Sequence, residues 1–390
     1  MKIVVAPDSF KGSLSATRVA ECIGAGIEKA DPEIEVRMVP IADGGEGTVE
    51  AVLKAAGGKI IETSVTGPLG TRIPSFFGVL EDGPTAIIEI AAAAGPGLVP
   101  GESRNPLLAT SHGVGELILE ALNEGCSEII VGLGGSITND GGMGMARALG
   151  VVFHDRCGAE IGSGRGEDLE KVATMSMDNI DPRLKETRIV GACDVNNPFY
   201  GPEGAASVFA PQKGADEDGV RFLDRGLKKF AGVIAREMGI DLQDIPGSGA
   251  AGGMAGGLLA FAGAILKPGM EILSEICNLE KEIAAADMVV TGEGQTDAQT
   301  AYGKVPVGVA AIANRYNIPV ICLSGGLGDG FEEIYKHGIT AAFSCINNAM
   351  TLEEAMAGTE KLLAQAVFDI TRLARACPVD QHRPRRIDIL

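Results

Sequence analysis

Gly292-Glu293-Gly294-Gln295-Thr296-Asp297-Ala298-Gln299-Thr300-Ala301-Tyr302-Gly303-Lys304 follows a short apolar run, Met288-Val289-Val290, and precedes a helical pattern from Val305 to Tyr316. The apolar run reads as a buried strand. The stretch is therefore a strand-to-helix crossover, the place where open α/β sheets put their ligands. It carries two carboxylates, two amide side chains, two threonine hydroxyls and a lysine. Its glycines let backbone N–H groups come close to an anion. A plain connector needs none of this chemistry, and loops at such positions often carry function.

The same alternation opens the chain. Residues 2–6 read as a strand, and Asp8-Ser9-Phe10-Lys11-Gly12-Ser13 as the loop after it. A helix from about Ser15 follows, with Val19, Ile23 and Ile27 on one face. Val36 to Pro40 is the next strand. Ala42-Asp43-Gly44-Gly45-Glu46-Gly47 is its crossover, Thr48 to Ala56 a helix and Ile60 to Val65 a third strand. Strand and helix in alternation predict a parallel doubly wound sheet.

The pattern changes after Thr66. Ile73 to Leu80 and Thr85 to Ile90 flank Glu81-Asp82-Gly83-Pro84 and predict an antiparallel hairpin. The α/β alternation returns from Met288 onward. The expected fold class is α/β: a Rossmann-like parallel sheet domain, 1–65 and 267–377, with an inserted second α/β domain of α+β character, 66–266. A loose tail, 378–390, carries the basic run Arg383-Pro384-Arg385-Arg386.

Composition narrows the functional classes. At roughly 100–200 residues per domain, 390 residues make about two or three domains. The net charge of −19 argues against nucleic acid, whose phosphates need Lys/Arg patches. It leaves room for a local cationic pocket that takes a small anion. The eight cysteines are scattered, with no C-x-x-C pair, and read as buried thiols of a reducing compartment. The four histidines are dispersed and predict no His-based metal site. The N-terminus lacks the apolar region of a signal peptide. Gly247 to Leu266 is uncharged but rich in Gly, and reads as a buried loop and helix rather than a membrane span. A cytoplasmic protein is expected, with no nucleic acid or membrane partner; a homo-oligomer is left open.

Further loops carry chemistry. Gly134-Gly135-Ser136-Ile137-Thr138-Asn139-Asp140-Gly141-Gly142 runs from the strand Glu128 to Leu133 into a helix at Met143. That arrangement binds phosphate or carboxylate through orphan N–H groups and the helix dipole. Ser111 is a plausible cap for a helix from Gly113. Asp194 ends the strand Arg188 to Ala192 and reads equally as a base, a metal ligand or an Asx-turn carboxylate.

No Walker motif is present, because Gly303-Lys304 lacks the spaced upstream Gly and the following Ser/Thr. No G-x-G-x-x-G follows the first strand, and no nucleophile elbow with triad partners is evident. Anion-binding loops, strand-end carboxylates and loop lysines remain. Phosphoryl transfer needs that set: cations and N–H groups for the phosphates, carboxylates for Mg²⁺ and a base for the attacking hydroxyl.

These residues carry a family resemblance. Pro7-Asp8-Ser9-Phe10-Lys11-Gly12-Ser13-Leu14-Ser15-Ala16 resembles the opening of the class I glycerate kinases. Ala42 to Thr48, Gly134-Gly135-Ser136 with Thr138 to Gly142, and Asp194-Val195 with Asn197-Pro198 follow in the family's order. So do Pro211-Gln212-Lys213-Gly214, Gly249 to Met254, and Gly292-Glu293-Gly294 with Asp297, over about residues 1 to 375. The resemblance implies a site in an interdomain cleft and transfer of the ATP γ-phosphate to D-glycerate, with 2-phosphoglycerate as product. Many members have Arg where this chain has Gln295, so one phosphate cation is missing; Arg165 is a candidate replacement.

On this reading Asp194 or Asp297 accepts the hydroxyl proton. Lys11 and Lys304 neutralise phosphates or the acid's carboxylate. Asp8, Asn197, Gly292 and Gly294 belong to the substrate and nucleotide loops, and Ser136, Thr138, Asn139 and Asp140 to an anion pocket. Asp43 and Glu293 hold Mg²⁺. Two alternatives are a kinase for another short hydroxy acid and a non-catalytic small-acid sensor, which would bind the acid without turning over ATP.

Overall fold

The computed structural model describes residues 1–41 and 44–376. Asp43 and the basic run of the tail lie outside the described residues. The strands, in chain order, are β1 (Lys2–Val5), β2 (Glu35–Met38), β3 (Gly58–Thr66), β4 (Arg72–Leu80), β5 (Thr85–Glu89), β6 (Glu128–Gly132), β7 (Val152–His154), β8 (Thr174–Ser176), β9 (Arg188–Ala192), β10 (Ile265–Lys267), β11 (Met288–Thr291), β12 (Gln295–Thr296), β13 (Val320–Ser324), β14 (Gly326–Leu327) and β15 (Ala341–Ser344). The chain divides into two compact units. Of the described residues the first holds 1–41, 50–56 and 273–376, and the second holds 44–49 and 57–272.

Unit one is built on a parallel sheet in the order β15-β13-β11-β1-β2. Its central strands are mostly apolar because a parallel sheet is covered on both faces; β11 and β13 are buried at every position, their terminal Thr291 and Ser324 included. The helix Ala16–Ala30 begins at Ser15, whose hydroxyl accepts from Arg18 N at 3.3 Å. It buries Val19, Ile23 and Ile27 in a core with Ile3, Val5, Val290 and Leu323. That core continues into Leu363, Val367 and Ile370 of the helix Thr359–Ala376. One long helix from Leu352 is expected; the chain forms Leu352–Ala357 and Thr359–Ala376, separated at Gly358. The Thr359 hydroxyl donates back to Ala355 O and Met356 O, carbonyls at the end of the first helix.

Unit two has a six-stranded sheet in the order β10-β9-β6-β5-β4-β3. β10, β9, β6 and β5 run parallel, and β4 is antiparallel to both of its neighbours. Here one expectation is corrected. The run Ile60 to Val65 does form a strand, β3, but it belongs to this sheet and not to the parallel sheet begun by β1. Nine residue pairs join β3 to β4 across the turn at Gly67–Gly70. The short hairpin connection fixes that partner. The core packs Phe153 edge-on against Phe230 and Phe261, with ring centroids 5.5 and 5.8 Å apart. The glycine-rich segment Ala250–Ala262, helical after a left-handed kink at Ala251–Gly253, is buried in it. No helix among the described residues is long and apolar enough to cross a membrane.

Candidate active site

Strand order places the first set of groups. In unit one the chain runs from β1 to β2 on one side and from β11 through β13 to β15 on the other. The topological switch point therefore lies between β1 and β11, and ligands of open α/β sheets bind beyond the carboxyl ends there. The loops leaving those two ends are Pro7–Ser13 and Gly292–Lys304. They are tied together by Ala6 N donating to Val290 O and Asp8 N donating to Gly292 O, both at 2.8 Å. Gly294 of the second loop lies close against the first: a Cβ there would sit 3.3 Å from Phe10 Cα and 3.4 Å from Lys11 N.

Within the second loop the structure brings Glu293, Asp297 and Lys304 together. Lys304 Nζ is 3.1 Å from Glu293 Oε2 and 3.9 Å from Asp297 Oδ1. Glu293 is buried, and its Oε1 accepts from Thr300 Oγ1 at 2.6 Å and Thr296 Oγ1 at 3.3 Å. Asp297 caps the turn Ala298–Tyr302 through Oδ1, which accepts from Gln299 N at 2.9 Å. Gln295 pairs with Gly326 in the β12–β14 ladder and is exposed. Asp8 is buried, and its Oδ1 accepts from Ser9 N; Lys11 is exposed.

Unit two supplies the second set, at the carboxyl ends of β5, β6 and β9. The Gly134–Gly142 loop leaves β6, with Gly134 N donating to Gly44 O at 3.0 Å. Its expected role as a helix N-terminal anion site is corrected. The helix it feeds, Met143–Ala148, is short, and its first N–H groups are already used. Gly142 N and Gly144 N donate to the Asp140 carboxylate, as do Ser111 N and Ser111 Oγ. Ser111 does not cap its own helix; its hydroxyl accepts from Met145 N and donates to Asp140. Asp140 is fully buried. Desolvation pushes its pKa above the usual carboxylate range, and the four donors work against that push.

What this loop offers a ligand lies one step earlier. Asn139 is fully buried, and neither its Oδ1 nor its Nδ2 has a hydrogen-bond partner. Ser136 Oγ and Thr138 O both accept from Lys213 Nζ, at 2.8 and 2.6 Å. Lys213 is a residue whose part the sequence left unread, because nothing in its spacing links it to Ser136. Glu89, buried at the end of β5, is another: its carboxylate accepts from Gly47 N and Val49 N. Asp194 Oδ1 accepts from Gly269 N at 2.8 Å, at the start of the helix Gly269–Ile276, and the residue is exposed. Asn197 Nδ2 donates to Glu203 O, and Arg165 lies 4.0 Å from Glu167.

Asp140→Asn tests the structural part of this loop. An amide NH₂ would face N–H donors in a buried setting, so we expect a loss of about 3 kcal/mol, read as a lower Tm in thermal denaturation. Ser111→Ala, which removes one donor to Asp140 and the acceptor of Met145 N, is expected to cost about 2 kcal/mol.

Comparison with known proteins gives the family of the chain. Residues 3–375 match the model of the glycerate kinase family. The chain is 48% identical over 370 residues to glycerate 2-kinase of Escherichia coli K12, covering 95% of this chain and 97% of that protein. It is 46% identical over 368 residues to glycerate kinase of Halalkalibacterium halodurans, covering 94% and 97%. A crystal structure from Salmonella typhimurium LT2, named as a candidate glycerate kinase 2, superposes with a TM-score of 0.86 at 46% identity, covering 96% of this chain and 98% of that one.

Proposed function

The chain belongs to the glycerate kinase family, and from that premise we propose that it transfers the γ-phosphate of ATP to D-glycerate, giving 2-phosphoglycerate and ADP. The observation that carries the reading is the cluster of Glu293, Asp297 and Lys304 beyond β11, at the switch point of the sheet. ATP is the co-substrate. The proposed chemistry is an in-line displacement: a glycerate hydroxyl oxygen attacks the γ-phosphorus, the bond to the β-phosphate bridging oxygen breaks, and ADP leaves. The hydroxyl proton passes to the carboxylate of Asp194 or Asp297. Lys304 and Lys11 balance the charge that spreads over the phosphoryl oxygens. Ser136, Thr138 and Asn139 hold the acid's carboxylate, and Asp8, Asn197, Gly292 and Gly294 shape the loops.

The donor set fits Mg²⁺ that arrives with the nucleotide. Mg²⁺ keeps several waters and is usually bound through one or two carboxylates plus substrate phosphates. Among the described residues no group of three or more His, Cys, Asp or Glu gathers into a metal cage. Glu293, with Asp43, would hold the ion, which would supply charge neutralisation at the phosphates. Seven free thiols among the described residues, five of them buried, suit a cytoplasmic enzyme.

Phosphorus NMR of the protein with ATP, Mg²⁺ and D-glycerate tests the proposal. We expect a new monoester signal matching 2-phosphoglycerate. A 3-phosphoglycerate signal would keep the kinase and overturn the regiochemistry, and no ATP consumption by folded protein would overturn the reading. In the same assay Lys304→Met is expected to lower kcat about a hundredfold, the usual effect of removing one group that stabilises transition-state charge. Lys304→Arg is expected to recover part of that loss.

A further inference from the structure

Lys213 is an ammonium group buried without a matching carboxylate. It sits on the turn Pro211–Lys213 and is 5% exposed. An ammonium has three N–H donors. Two of them go to neutral acceptors, Ser136 Oγ and Thr138 O, and no Asp or Glu among the described residues forms an ion pair with it. Isolated buried charges are costly, and natural proteins keep them where something pairs with them.

The surroundings point to the missing partner. Asn139 follows Thr138 in the chain, fully buried, with both amide atoms unpartnered. Ser248 Oγ is also buried and unpartnered. The glycine-rich segment after Ser248 packs onto this same backbone: a Cβ on Gly252 would lie 2.1 Å from Thr138 O and 2.8 Å from Asn139 Cα. Gly252 has a φ of +73°, so both the conformation and the approach require glycine there.

We propose that Lys213 is the cation of an oxyanion subsite on the Ser136–Asn139 segment, with the Asn139 amide as its hydrogen-bonding partner. This deepens the phosphotransfer reading of the same loop and rests on it for the identity of the ligand. The oxyanion is the acceptor's carboxylate or a phosphate of the nucleotide.

Burial lowers the pKa of Lys213 to about 7, and the charge of Asp140 in the Gly134–Gly142 loop works against that fall. The Asp140 oxygens are occupied by their own four donors. Arg104 backs Gly214 through its carbonyl, and its guanidinium donates to Pro96 O and Val99 O. The helix Ala205–Phe209, packed against the turn, brings no charge. Lys213 therefore carries its charge below neutrality and loses it as pH rises, and oxyanion affinity should fall in the same direction.

The test measures sulfate affinity by calorimetry, together with KM for D-glycerate and for ATP, between about pH 6 and about pH 9. Sulfate keeps its charge over that range and needs no turnover. In wild-type protein we expect sulfate affinity to fall about tenfold as pH rises. Lys213→Met should be about tenfold weaker at the acid end and flat with pH, while Lys213→Arg, which stays charged, should restore binding at the alkaline end. A tenfold rise in KM for D-glycerate alone identifies the carboxylate, and a rise for ATP alone identifies the phosphate.

Unchanged sulfate affinity in Lys213→Met overturns the proposal, as does a lower Tm and kcat with no change in sulfate binding. If Lys213→Met fails to fold, a flat wild-type profile that Lys213→Arg shares overturns it. If wild-type protein binds sulfate through Lys213 but phosphorylates no glycerate, the subsite stands and the kinase reading falls.

Discussion

Of the variants Asp194→Asn and Asp297→Asn, one is expected to lose about a thousandfold in kcat while the other keeps most of its turnover. Each substitution keeps the backbone hydrogen bond described for that residue. Asp194 accepts from Gly269 N and Asp297 from Gln299 N, and an Asn carbonyl oxygen can accept in either place. Asn is also as good a helix cap as Asp. Neither variant should therefore change Tm by more than about 0.5 kcal/mol in stability terms. The variant that loses turnover should also lose the acid limb of the pH–rate profile, because the titrating base is gone. Near-normal turnover in both would end the assignment of either carboxylate as base. Asp297 has the added feature of Lys304 at 3.9 Å, so Asp297→Asn is also expected to disturb the lysine that faces the phosphates.

Gly292→Ala is expected to unfold the loop that carries Glu293 and to cost more than about 4 kcal/mol. A Cβ at this position would lie 1.8 Å from Leu323 O and 2.8 Å from Leu323 C. Both are backbone atoms of β13, so no side chain can swing away to make room. The collision would part the ends of β11 and β13 where Gly325 N donates to Glu293 O and Gly326 N to Gly294 O, and would displace Gly292 O, which accepts from Asp8 N of the loop after β1. Thermal denaturation should show a fall in Tm of several degrees or more. Ala substituted at Gly303, where a Cβ meets nothing within 4 Å but φ is +99°, should cost much less, on the order of 1 kcal/mol.

The sequence made the local chemistry legible and left long-range pairing obscure. Met288–Thr291, the polar loop after it and the helix Val305–Arg315 stand out as one crossover, because each has a short-range signal: an apolar run, turn glycines, then helical periodicity. The gathering of Glu293, Asp297 and Lys304 follows from that crossover. The run Ile60 to Val65 was equally legible as a strand, but its sheet was not, since periodicity says nothing about which strand lies alongside. From its position alone Ser111 reads as a cap; its use by Asp140, 29 residues away, has no local signature. Lys213 was hidden for the same reason, because its acceptors lie 77 and 75 residues earlier in the chain.

The position of β1 has a consequence for how the chain comes off the ribosome. β1 finds one neighbour, β2, about thirty residues later, but its other neighbour, β11, begins at Met288. At roughly 5–20 residues per second, the second neighbour emerges tens of seconds after the first. Over that interval one edge of an apolar strand waits unpaired, an edge of the kind that templates aggregation. The contiguous residues 57–272 can complete their own sheet in the meantime. The nascent chain should therefore need shielding at its N-terminal end, and the loop pair at β1 and β11 should form only late in synthesis, so that products truncated before β11 are born without activity.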